Sequence, residues 1–146
     1  MRALGMAFVL FAFAGACAPM SPGAPGGGLA APSAEGVRVH VTAADAGKTI
    51  AVKVGEPFSV DLVGVLTAGY VWTPVVTPDF LTRTGSAGGP TTEAQRRPGF
   101  AGGNHWEVTV FTAQRPGRSE LKFEQRRPWE TNEPSVATLS VTIQAN

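Results

Sequence analysis

The sequence is poor in the residues that several kinds of chemistry require. It holds one cysteine, Cys17, so neither an internal disulfide framework nor a cysteine-rich zinc site can form. Its two histidines, His40 and His105, stand too far apart for a local zinc-binding helix motif. Charged residues make up 16% of the chain, against roughly a quarter in an average protein. Lys and Arg number 12 and Asp and Glu 11, a net charge of +1, which is too weak a field to gather nucleic-acid phosphates. No G-x-S-x-G nucleophile elbow occurs, and no thiol lies beyond Cys17. Past the first twenty residues, no apolar run is long enough to cross a membrane as a helix. Glycine (18) and proline (12) are plentiful, about a fifth of the 146 residues, which argues against long helices. They follow no triplet period, so collagen is excluded. The length suits one domain.

Three stretches follow one another. Residues 1–16 begin with Arg2, continue through an apolar run from Ala3 to Ala16, and end in Ala14-Gly15-Ala16. A basic start, an apolar middle and small residues at the end read as a secretory signal. Cys17 follows at once, which resembles a bacterial lipoprotein box, although Ala14 stands where leucine is usual. An ordinary signal cut at the same bond stays open. On the lipoprotein reading Cys17 carries a lipid, and the protein is exported to a bacterial cell envelope, facing the periplasm or the outside. Residues 17–36 are rich in Gly, Pro, Ala and Ser, with Leu29 the one large aliphatic residue after Met20. Such a stretch buries too little apolar surface to offset its ordering entropy and reads as a flexible tether. Residues 37–146 form the folded domain.

In that domain apolar residues alternate with polar ones: Val37, Val39 and Val41; Ile50, Val52 and Val54; Phe58, Val60 and Leu62; Trp106, Val108 and Val110; Leu121 and Phe123; Leu139, Val141 and Ile143. Tyr70 to Val76 is β-rich, and Phe80 to Thr84 is a weaker candidate. About eight short strands without an amphipathic helix give an all-β fold, an immunoglobulin-like antiparallel β-sandwich. If the chain reverses at each connection, the odd-numbered connections share one end. The third (Val63 to Gly69), fifth (Gly85 to Gly103) and seventh (Arg126 to Ser135) are the longest or least regular, which points to a composite binding surface there.

These connections carry a pattern that resembles the chagasin-type inhibitors of papain-like cysteine proteases. In that family the first loop reads Asn-Pro-Thr-Thr-Gly-Tyr or Phe, with Trp two residues on. Here it reads Val65-Leu66-Thr67-Ala68-Gly69-Tyr70-Val71-Trp72. The second is glycine-rich, here Pro98-Gly99-Phe100-Ala101-Gly102-Gly103, and the third carries Arg-Pro-Trp, here Arg127-Pro128-Trp129-Glu130.

The resemblance implies a reversible, competitive inhibitor that blocks the cleft of a papain-like cysteine protease. It would do so without catalytic residues, cofactor or metal, and as a monomer. Thr67, Ala68 and Gly69 would form the central wedge. Tyr70 either supports the wedge from the core or touches the protease. Phe100, Gly102 and Gly103 would form a flap, and Arg127, Pro128 and Trp129 a third contact. An alternative for Trp129 is packing over the sandwich end with Arg127 stacked on it. Trp72 and Trp106 read as core, and His40 and His105 as residues without a special role. The departures at Val65, Leu66 and Ala68 favour an alternative function, a non-inhibitory cell-envelope interaction module with the same fold.

Overall fold

The computed structural model describes residues 28–146. The signal, Cys17 and the first part of the expected tether lie outside the described residues. Eight strands follow in order: β1 (Val39–Val41), β2 (Thr49–Val52), β3 (Pro57–Gly64), β4 (Val71–Val76), β5 (Leu81–Pro90), β6 (His105–Ala113), β7 (Gly117–Arg126) and β8 (Ala137–Ala145). They form two four-stranded sheets, β1-β3-β6-β5 and β2-β8-β7-β4. The expected all-β sandwich is the architecture found.

The period-2 alternation places one row of each sheet between the layers. Phe58, Val60 and Leu62 of β3 and Phe111 of β6 meet Leu121 and Phe123 of β7 and Leu139, Val141 and Ile143 of β8. Phe111 is the hub: its ring stacks on Phe58 at 5.8 Å and meets Phe123 edge-on at 6.2 Å.

Two features differ from a wholly antiparallel sandwich with an even core. The edge strands pair in parallel, β1 with β3 and β2 with β8. The chain changes sheet between β1, β2 and β3 instead of forming hairpins, so each edge strand lies beside a central strand running its own way. The weak fifth strand is also longer than its alternation indicates. It continues through Gly85-Ser86-Ala87-Gly88-Gly89 to Pro90, paired with β6 throughout, with a bulge between Arg83 and Gly85. The fifth connection is therefore residues 91–104.

The row Trp106, Val108 and Val110 faces away from the inter-sheet core, because Phe111 points inward. Val108 and Val110 are nonetheless buried. Residues 28–36, expected as tether, run against this sheet. Gly28 bridges Thr92, and a Cβ on Gly89 would meet Pro32 at 3.0 Å. At the other end, Gly36 lies against Pro57. Few large apolar side chains are needed for this, because backbone hydrogen bonds and prolines on a glycine-rich strand hold the segment.

Candidate functional site

The third, fifth and seventh connections lie together at one end of the sandwich. The first of these loops is short and closed. Val65 and Tyr70 exchange both backbone hydrogen bonds, 3.2 Å each. Between them Leu66–Ala68 makes a single 3-10 turn that ends on Gly69 in the left-handed conformation, φ +79°. Only glycine takes that conformation without steric cost. Below the tip, Glu107 of β6 accepts the Trp72 backbone N–H at 2.9 Å and lies directly under Gly64, where a side chain would displace the Glu107 carboxylate. The Trp72 indole donates to the Val63 carbonyl at 2.9 Å, and its ring packs against the core.

The seventh connection folds onto this tip. Arg127 donates through Nε to the Ala68 carbonyl (2.8 Å) and through a terminal nitrogen to Glu130 Oε1 (2.8 Å). Its guanidinium lies over the Tyr70 ring, 4.6 Å from the centroid. The hydrogen bond that Arg127 donates to Glu130 is the main reason that it holds its proton above the ordinary guanidinium range. Arg127 therefore stacks on Tyr70, not on Trp129. Trp129 is 68% exposed, and its ring edge lies against Gly69, in the space a Cβ there would take. Pro128, also exposed, holds the turn between the two.

The fifth connection completes the face. Its glycines at 99, 102 and 103 all have positive φ, so the backbone turns where a side chain would be strained. Gln95 staples both of its ends. Its Oε1 accepts the Thr91 and Thr92 amides at 2.7 and 2.9 Å, and its Nε2 donates to the Asn104 carbonyl. Phe100 folds toward Gly103 yet stays 47% exposed. A Cβ on Gly102 would lie 3.8 Å from the Thr67 methyl, so the second loop adjoins the first.

Each residue expected in the face is thus found at this end: Thr67, Ala68, Gly69 and Tyr70; Phe100, Gly102 and Gly103; Arg127, Pro128 and Trp129. Leu66 was not expected there. It is 60% exposed at the tip, and the signal that could have pointed to it is an apolar residue next to Thr67 in a turn. The exposed groups Leu66, Phe100 and Trp129 are apolar, and three arginines around them pair locally, Arg127 with Glu130, Arg126 with Glu124 and Arg96 with Glu93, while Arg97 and Glu133 are exposed without such a pair among the described residues. A cleft of about 360 Å³ lined by Pro57, Phe58 and Asn146 lies at the opposite end, where β3 begins and the chain ends. The loop end carries its own open hollow of about 430 Å³, lined by Tyr70, Arg127, Glu130 and Val136, while Leu66, Phe100 and Trp129 stay exposed.

Ser59, His40 and Asp61 also come together, on the outer side of β3. Ser59 Oγ and Asp61 Oδ2 both face the same ring nitrogen of His40, Nδ1, at 2.9 and 2.8 Å. A hydrolytic relay needs the serine on one ring nitrogen and the carboxylate on the other. This cluster braces β1 against β3. Among the described residues no group of three His, Cys, Asp or Glu could hold a metal ion.

A β-sandwich that gathers three loops at one end, with Leu66, Phe100 and Trp129 exposed on them, has the form of a protein-binding module. The chain belongs to the chagasin family of peptidase inhibitors: the family profile described as "Chagasin family peptidase inhibitor I42" matches residues 51–143. Among solved structures, the cysteine protease inhibitor EhICP2 from Entamoeba histolytica is similar, with a TM-score of 0.64 and 16% identity, over 78% of this chain and 100% of that one. Amebosin is similar at a TM-score of 0.56 and 22% identity, over 74% of this chain and 97% of that one. At these identities the likeness is one of fold. A search of curated protein sequences gives no match.

Proposed function

We propose that this chain is a reversible, competitive inhibitor of papain-like cysteine proteases. In this reading Leu66–Gly69 enters the catalytic groove, and Phe100–Gly103 and Arg127–Trp129 rest on its two shoulders. The observation that carries it is the exposed indole of Trp129 seated on the left-handed Gly69, on the same tip whose Thr67 adjoins the second loop.

The tip is also built to survive in a protease cleft. A thiolate attacks a carbonyl in an extended substrate, with the oxygen free for oxyanion donors. Here the tip is a turn, not an extended strand, and three of its carbonyls accept internal hydrogen bonds: Val65 O from Ala68 N, Leu66 O from Gly69 N and Ala68 O from Arg127 Nε. Binding therefore fills the site without presenting a peptide bond in attack geometry.

Arg127→Ala frees the Ala68 carbonyl and removes the brace between the loops. Its expected result is a roughly tenfold weaker inhibition constant for papain, together with slow cleavage within residues 66–70. Intact-mass measurement after prolonged incubation checks this, and the wild type is expected to stay whole.

A second reading keeps the same face for a different, non-protease partner in the cell envelope. It is favoured by Leu66 at the tip, an exposed apolar group where the family carries proline. Capture of a non-protease partner that is lost in Trp129→Ala, with no effect on papain, is the result that selects it.

The proposal extends to location: export through residues 1–16 and anchoring through a lipid on Cys17. The expected intact mass of the membrane-extracted protein exceeds that of the unmodified chain, and Cys17→Ala abolishes both the excess and the membrane association. An unmodified Cys17 would leave a freely exported protein.

A further inference from the structure

The segment before β1 lies outside the family-matched region, yet it reaches the binding end. The family profile begins at residue 51, and residues 28–36 precede it by a full strand. From Gly36 at the start of β3, the segment runs back across the outer side of the sheet to Thr92, at the root of the second loop.

There one residue links both strands that carry the loop. The Leu29 amide donates to the Thr91 carbonyl at 2.8 Å, on the β5 side. The Leu29 carbonyl accepts from the Trp106 indole at 2.8 Å, on the β6 side. Pro32 sits over Gly89, where a β5 side chain would exclude it. Gln95 ties the same two roots from within the loop, at Thr91 and Asn104. The loop between them has three glycines with positive φ, so its own backbone resists little motion. Two independent ties on one short loop are what a preorganised contact requires, since order present before binding is not lost on binding.

We propose that residues 28–32 are a strap that positions the glycine-rich loop for binding, with Leu29 and Trp106 as its positioning residues. This rests on the inhibitor reading for its effect on binding, but not for its effect on the loop. The strap also explains why Trp106 is a tryptophan: the indole N–H, and not its bulk in the core, is what the position uses.

The test uses the full-length protein and two substitutions that each delete one donor, Leu29→Pro and Trp106→Phe. Hydrogen exchange of amides in 91–104 is read first. Both variants are expected to exchange about three- to tenfold faster there, the range one lost hydrogen bond covers, with β3, β7 and β8 unchanged. The inhibition constant for papain is read second. It is expected to weaken by a similar factor, and the weakening is expected to vanish when Phe100→Ala has already removed the loop's contact.

Unchanged exchange in 91–104 in both variants, with the fold intact, overturns the strap. Faster exchange with an unchanged inhibition constant overturns its role in binding. If the wild type does not inhibit papain at all, the inhibitor reading fails, and the exchange result alone decides whether the strap holds the loop.

Discussion

Trp129→Ala is expected to weaken inhibition of papain by about thirtyfold or more, with no loss of fold. The indole stands out of the domain, 68% exposed, so its removal leaves no cavity in the core. Its neighbours explain the size of the effect. Arg127 fixes the turn that carries it, and the flat space above Gly69 sets its angle. A tryptophan held this way enters a partner with little further ordering cost. Truncating such an anchor costs about 2 kcal/mol or more, which is about thirtyfold in affinity. Thermal unfolding and the inhibition constant, measured together, check both halves. A midpoint that falls with the affinity would mean that the indole supports the domain instead.

Gly69→Ala is expected to weaken inhibition further, by about a hundredfold. Two effects combine. The left-handed backbone at φ +79° disfavours any side chain by roughly 1–2 kcal/mol. The new methyl also occupies the space of the Trp129 ring edge, and the exposed ring is free to swing away. The tip then either leaves its turn or loses the indole resting on it, and both contacts fail together. The coupling is the informative part. In a Trp129→Ala background the methyl meets no ring, so the second substitution is expected to cost only the backbone share. Equal costs in both backgrounds would show that Gly69 and Trp129 act independently.

Much of this was legible in the sequence because half-buried strands write their burial as alternation. β3 and β8 are clear cases, with Phe58, Val60 and Leu62 and with Leu139, Val141 and Ile143. The end at which the loops gather followed from counting reversals. The outcome holds although the two edge strands pair in parallel, because parity depends on direction and not on partner.

Other features left no such trace. The second half of β5 is Gly85-Ser86-Ala87-Gly88-Gly89, where there are too few side chains to alternate, and only pairing with β6 makes it a strand. Trp106, Val108 and Val110 alternate as a core row would, but periodicity reports that a face is covered and not what covers it. Trp106 is met on that face by Leu29, in a segment whose composition reads as disordered because it docks through backbone groups and prolines. At the face itself, the residue types of the Arg-Pro-Trp turn were readable. That Arg127 lies on Tyr70 and binds the Ala68 carbonyl, leaving Trp129 free, depends on the fold of two loops distant in sequence.

Inhibition rests on the three loops entering a papain-like cleft, and steady-state kinetics of papain titrated with the full-length protein tests this most directly. The expected result is a KM for a small peptide substrate that rises with inhibitor while kcat stays constant, an effect that Trp129→Ala largely removes. A folded protein that leaves papain unaffected at micromolar concentration, or one that lowers kcat at unchanged KM, would contradict it.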